Sequence, residues 1–162
     1  MSVRSRLSIA ALCLAGIVAA GTASAQDTKT VLTLATAKKM ADACEQKAKT
    51  EGWKMVIAVV DDGGNLKYLS RMDGSFLVSV KIAQLKAETS ARLPLSSRKL
   101  GEIAQSVKGI EMVPGLVIFP GGLPIFTAGG AQLGGIGVSG ASGDQDEVCA
   151  QAGVDAVKDL LK

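Results

Sequence analysis

The last third of the chain, between Pro120 and Glu147, limits the possible folds most, because glycine and proline interrupt it at short intervals. Two glycines and a leucine separate the prolines at 120 and 124, and a run of small and apolar residues follows at 134–140. An acidic segment comes next, as is typical of the start of a helix. Short apolar segments joined by glycine-rich turns predict strands that are linked as hairpins.

The rest of the chain adds helices to this strand-rich region. Its patterns predict a helix from about 34–36 up to Gly52, strands at 53–60 and 65–70 around a turn at 61–64, and helices at 75–92 and 96–106. Further strands are predicted at 116–119, 124–128 and 132–138, with Ser142 or Asp144 capping a last helix. This order predicts an α+β fold in which helices pack against an antiparallel sheet of five strands.

The N-terminal residues resemble an export signal. Arg4 and Arg6 precede an apolar run at 7–20, and Ala23-Ser-Ala25 is an A-x-A cleavage site. The alternative is an uncleaved anchor helix, but the run is short for a membrane span. We therefore predict a signal peptide at 1–25, a single domain at 26–162, a periplasmic or secreted location and no membrane span after cleavage.

Charge and composition exclude several functions. Cleavage would remove two of the 18 basic residues and none of the 15 acidic ones, so the mature net charge would be +1. Without a basic tail or patch, a nucleic-acid role has no electrostatic support. The chain also has no histidine, which excludes Ser-His-Asp and Cys-His catalysis and removes the commonest metal ligand.

Two cysteines, Cys44 and Cys149, remain after the predicted cleavage, and each lies at a small-residue position of an apolar helical stripe. An oxidising compartment favours a disulfide between them if the first and last helices are neighbours. Two buried free thiols are the alternative. A redox role is less favoured because no C-x-x-C is present.

Two motifs of the C-terminal region have a structural explanation. Residues 135–140 match G-x-G-x-x-G, but the glycines interrupt a strand instead of opening a helix, which indicates close backbone packing and a turn. Asp144, Asp146 and Glu147 lack the spacing of a calcium loop, and helix capping explains them better.

A candidate ligand site lies between residues 71 and 89. Arg71 and Asp73 follow a strand, while Lys86 and Thr89 are polar positions on a largely apolar helix. Lys86 either meets a carboxylate or propionate of a ligand, or it reaches water or pairs with Asp73. The candidate ligand-binding residues are Arg71, Asp73, Lys86, Thr89, Gly121 and Gly122, the two glycines as backbone neighbours.

Six short blocks in order carry a family resemblance. They are VVDDGG at 59–64, RMDG at 71–74, KAETS at 86–90, PGGLP at 120–124, GGIGVSG at 134–140 and QDE at 145–147. The chain resembles the GlcG/HbpS-like haem-binding family, which is related to the C-terminal domain of PduO-type corrinoid proteins. The resemblance implies a profilin-like three-layer domain with a five-stranded antiparallel sheet and helices on both faces. It also implies homo-oligomers, binding of haem or another tetrapyrrole, and in some members a role beside an extracytoplasmic sensor kinase.

The absence of histidine leaves only weak candidates for haem iron. They are Tyr68 and Met72, followed by Met112, Lys86 and Thr89, and tyrosine is an established axial ligand. We expect an exported oligomeric protein that binds haem or a similar small ligand at a surface or interface. The alternatives are a small-metabolite enzyme with an Arg71, Asp73 and Lys86 pocket, and a structural or sensor-partner module.

Overall fold

The computed structural model describes residues 28–161, which form one antiparallel sheet with helices on both faces. The strands are β1 (Val56–Asp61), β2 (Leu66–Arg71), β3 (Gly122–Phe126) and β4 (Gln132–Ser139), and the helices are α1 (Leu34–Glu51), α2 (Ser79–Arg92), α3 (Ser97–Ser106) and α4 (Gly143–Asp155). Short 3₁₀ helices lie at Ile110–Met112 and Lys158–Leu160. The strand order is β2-β1-β4-β3, and every neighbouring pair is antiparallel.

The layers follow from the alternation of side chains along β1. Ile57 and Val59 point to a core shared with α1 and α4, whereas Val56, Ala58 and Val60 point to α2. All five are buried, because helices cover both faces of this central strand. The predicted α+β fold, in which helices pack against an antiparallel sheet, is confirmed.

The prediction of a fifth strand at 116–119 is wrong, since the sheet formed within residues 28–161 has four strands. The backbone of this segment is bound to helices instead of a strand. The Val117 N–H donates to Thr89 Oγ1 of α2 at 3.0 Å, and the Ile118 carbonyl lies directly over Gly101 of α3. An apolar run can be buried in this way without joining the ladder.

The ends of two helices differ from the sequence patterns. α2 begins at Ser79 instead of Ser75, and the apolar side chains that precede it are exposed. The capping box of α4 is formed by Ser142 and Gln145, so Asp144 is not the cap. Ser142 Oγ accepts the Gln145 N–H, and the Gln145 side chain accepts the Ser142 N–H.

Glycines in β4 allow α2 to approach the sheet closely. A Cβ built at Gly137 would lie 2.1 Å from the Ala83 carbonyl oxygen, and one at Gly135 would lie 2.3 Å from that of Ala87. Both distances are far below contact, so only glycine permits this backbone packing. The prediction of close packing for the G-x-G-x-x-G run is confirmed.

Gly137→Ala is therefore expected to destabilise the fold by about 1–3 kcal/mol, because α2 has to move away from β4. Urea unfolding measures the loss. Gly129→Ala is the matched control, because the nearest atom to a Cβ at that exposed glycine is 3.8 Å away. Equal stability of the two variants would contradict the packing argument.

The predicted signal peptide lies outside the described residues. Within residues 28–161, no helix combines the length and the apolar character needed to cross a bilayer.

Candidate functional site

A fully buried lysine lies at the junction of α2, β4 and α4. Lys86 is 0% exposed, and its Nζ donates to Asp146 Oδ2 at 2.7 Å and to the Val138 carbonyl at 2.9 Å. The ring of Phe119 covers the amine, with its centroid 4.9 Å from Nζ. The ammonium group is thus held by a carboxylate, a carbonyl and an aromatic face, and water is excluded.

Gly121 and Gly122, at the start of β3, make room for this lysine. A Cβ at Gly121 would lie 2.6 Å from Lys86 Nζ, and one at Gly122 would lie 2.5 Å from the Lys86 carbonyl oxygen. Gly121 also has a φ of 118°, a conformation that other residues adopt rarely. The Gly122 N–H donates to Ser97 Oγ at 2.9 Å, which attaches α3 to the same junction. Both glycines are therefore backbone neighbours of Lys86.

Asp146 is the carboxylate partner, and it lies in the first turn of α4 with 3% exposure. Its Oδ1 accepts the Ala141 N–H at 3.1 Å. Burial raises the pKa of Asp146 and lowers the pKa of Lys86, while the hydrogen bond between them favours the charged form of each. The pair has a high desolvation cost, which its mutual contact and the hydrogen bonds to the Val138 carbonyl and the Ala141 N–H offset.

An open cleft of about 270 Å³ adjoins this pair. We call it the Phe76/Phe119 cleft; its lining is Phe76, Val78, Ser79, Ile82, Phe119, Ser139, Gly140, Ala141, Gly143 and Asp146. The rings at its mouth are 67% and 47% exposed. At its base, the hydroxyls of Ser79 and Ser139 are 3.2 Å apart. The cleft thus combines an apolar entrance with a small polar base.

A second, more polar depression lies at the end of β2. We call it the Arg71 groove; it measures about 340 Å³, and its lining is Glu45, Lys49, Lys54, Ser70, Arg71, Met72 and Asp73. Lys86 does not line it, because its amine is bound to Asp146. The predicted pocket of Arg71, Asp73 and Lys86 is therefore not formed, and neither is the predicted Lys86–Asp73 pair.

A family profile described as "Haem degrading protein HbpS-like" matches residues 32–155. This chain belongs to the HbpS-like family. An uncharacterised 15.0 kDa protein of Citrobacter freundii is 37% identical over 134 residues, which cover 80% of this chain and 94% of the relative. The crystal structure of a double mutant of HbpS from Streptomyces reticuli has a TM-score of 0.78 and 32% identity, covering 95% of this chain and 99% of that one. A structure described as a PduOC:Heme complex has a TM-score of 0.74 and 27% identity, covering 78% and 95% of the two chains.

The proposed iron ligands of this HbpS-like chain are separate from the Phe76/Phe119 cleft. Tyr68 is half-buried on β2 with Lys38 Nζ 5.8 Å from its ring centroid, and Met72 Sδ accepts the Met55 N–H at 3.4 Å. Met112 is 80% exposed, but it does not line the cleft. Within residues 28–161, no group of three His, Cys, Asp or Glu side chains is placed to hold a metal ion.

Thr89 has a structural position in the HbpS-like fold. It is 0% exposed, accepts the Val117 N–H at 3.0 Å and lies 3.4 Å from the Gly115 carbonyl, to which it donates. Its hydroxyl thus binds the segment that was predicted to be a strand.

The role of Asp146 differs from the helix capping predicted for it, since its carboxylate pairs with Lys86. A lysine on an apolar helix needs a buried anion, and that requirement was a signal for a partner among the acids of the chain. The spacing of 60 residues between the two partners gave no indication of which acid it is.

Proposed function

We propose that this HbpS-like chain is an exported, oligomeric protein that binds haem or a related tetrapyrrole at the Phe76/Phe119 cleft. The observation that carries the proposal is the pair of exposed aromatic rings at the mouth of the cleft, with Val78 and Ile82 beside them. Flat apolar macrocycles stack on such rings. The family profile and the similarity to a structure described as a heme complex support the same ligand class.

The residues that line the cleft are better suited to contact the macrocycle than to coordinate its iron. Typical pockets enclose about 300–1,000 Å³, so a cleft of about 270 Å³ holds one edge of a tetrapyrrole and leaves the rest at the surface or against another subunit. Neither Tyr68 nor Met72 lines the cleft, so the ring contacts would supply most of the affinity. Bound haem would supply a redox-active iron, and the chain would hold the macrocycle.

Export and assembly rest on separate observations. Cys44 and Cys149 form a disulfide, which is typical of proteins in oxidising compartments. The outer strands β2 and β3 leave both sheet edges uncovered by further strands in the described part of the chain, and Leu66 and Phe126 on them are exposed. Such edges favour contact with a second copy of the chain.

Hemin titration, followed at the Soret band, tests the ligand and its location. Phe76→Ala and Phe119→Ala are each expected to weaken hemin binding about five- to tenfold, because each removes one aromatic contact. Metal-free protoporphyrin is expected to bind within about threefold of hemin, since no strong iron ligand lines the cleft. Native mass spectrometry of the same protein measures the retained ligand and the number of subunits together.

Leu34→Ala is the matched control, because Leu34 is 53% exposed at the start of α1 and lines neither the cleft nor a sheet edge. Thermal melting of the Phe119 variant separates a binding defect from exposure of the Lys86–Asp146 pair. An unshifted hemin spectrum for the parent protein would refute haem binding, and equal weakening by Leu34→Ala would refute the location.

The enzyme and sensor-partner alternatives have less support. The enzyme hypothesis required Arg71, Asp73 and Lys86 in one pocket, and the lysine is bound elsewhere. No observation on this chain favours a sensor partner.

A further inference from the structure

The Arg71 groove contains two cations, Arg71 and Lys54, that pair with no acid within residues 28–161. In this part of the chain the Arg71 side chain donates to the hydroxyl and carbonyl of Ser75, each at 3.4 Å, and to no other group. Among residues 28–161, neither Arg71 nor Lys54 forms an ion pair. Most donors of the guanidinium group and the whole ammonium group of Lys54 therefore remain available at one depression.

The other charges of the groove nearly cancel. Lys49 Nζ lies 2.7 Å from Glu45 Oε1, and Ser70 Oγ donates to the other oxygen of that carboxylate at 3.1 Å. The contact with Lys49 lowers the pKa of Glu45, so this acid stays ionised and compensates its lysine. Arg71 and Lys54 then face a single further carboxylate, Asp73, which leaves a net positive charge.

The groove is lined by one buried apolar side chain, Met72, and otherwise by polar and charged residues. Met72 is 9% exposed and its sulfur is fixed by the Met55 N–H. A second hollow of about 230 Å³ adjoins the first and shares Arg71, Met72 and Asp73 with it. The aliphatic part of Lys54 lies beside Gly74 at the edge of this hollow. Together the hollows have room for a small molecule between the two cations and Asp73.

We propose that the Arg71 groove binds a small carboxylate that also carries a hydroxyl or ammonium donor. The carboxylate would be held by Arg71, whose planar group suits two parallel hydrogen bonds, and by Lys54. The donor would be held by Asp73. This site shares no lining residue with the Phe76/Phe119 cleft, so it is independent of tetrapyrrole binding.

Three acids of matched size test the proposal by isothermal titration of the full chain. Propionate has no donor, L-lactate adds a hydroxyl and L-alanine adds an ammonium group. Lactate or alanine is expected to bind at least about fivefold more tightly than propionate, because only they reach Asp73. Arg71→Met should weaken the tighter acid about tenfold or more, and Asp73→Asn should remove its advantage over propionate.

Lys39→Met is the control, because Lys39 is an exposed α1 lysine that forms no ion pair within the described residues and does not line the groove. It should leave all three affinities unchanged. The proposal is overturned if none of the acids binds, if propionate binds as tightly as the other two, or if Arg71→Met retains full affinity. A hemin titration of Arg71→Met, expected to match that of the parent chain, keeps this result separate from the tetrapyrrole proposal.

Discussion

Lys86→Met is expected to lower the free energy of unfolding by about 3–5 kcal/mol at neutral pH. Methionine fills much of the same volume, so packing changes little. The loss arises because the Asp146 side chain, 4% exposed, keeps its buried charge. In the parent chain the Lys86 ammonium group lies 2.7 Å from this carboxylate, and the variant lacks it. Asp146 then either stays ionised at high cost or takes up a proton.

The proton uptake makes this deficit depend on pH. Burial already raises the pKa of Asp146 in the folded protein, and removing Lys86 raises it further. Between the pKa values of Asp146 in the unfolded and the folded state, the folded variant binds a proton that the unfolded chain has released. The stability of the variant therefore falls as pH rises through this range. The deficit relative to the parent chain should therefore shrink between pH 7 and about pH 4.

Urea unfolding at both pH values measures the effect. Lys47→Met is the matched control, because Lys47 forms an exposed pair with Glu51 and its loss should be within about 1 kcal/mol. Replacing both Lys86 and Asp146 by apolar residues should recover part of the stability, since no charge is then left buried. A loss for Lys86→Met no larger than that of Lys47→Met would show that the buried pair does not matter for stability.

Reduction of the disulfide between Cys44 and Cys149 is expected to destabilise the fold by about 4–5 kcal/mol. The bond joins α1 to α4 across a sequence separation of 105 residues. It restricts the unfolded chain strongly, because a loop of this length loses much entropy on closure. Both cysteines are 0% exposed, so the bond lies within the core and not at its rim.

Guanidinium unfolding of the oxidised and reduced protein measures this loss without a change in packing volume. The variant with alanine at both positions should be insensitive to reductant and about as stable as the reduced parent chain. A difference between the oxidised and reduced parent of less than about 1 kcal/mol would indicate that the unfolded chain retains structure that already brings the helices together.

Local patterns predicted most of the secondary structure. The apolar stripe and Gly52 located α1, and the turn at 61–64 located the first hairpin, because both signals act within a few residues. The segment 116–119 was predicted wrongly because a short apolar run is equally suited to a strand or to burial under helices. Thr89, 28 residues before Val117, provides the hydrogen bond that selects the second outcome.

The candidate site was predictable in part. The sequence predicted Gly121 and Gly122 as backbone neighbours of a site around residues 71–89, and the structure places both glycines beside Lys86. It did not indicate that Arg71 and Asp73 lie in a groove that Lys86 does not line, because the partner of Lys86 is set by contacts between distant parts of the chain.

The glycine-rich third of the chain shows which features follow from the sequence and which depend on the tertiary structure. The sequence by itself determined that this region forms short strands and a capped helix, and that its glycines serve packing and not nucleotide binding, since turn residues and side-chain size act locally. Only the tertiary structure decided which acid neutralises Lys86 and which aromatic rings form a cleft beside it. Those choices depend on contacts between residues about 30 to 60 positions apart, and chain spacing carries no information about them.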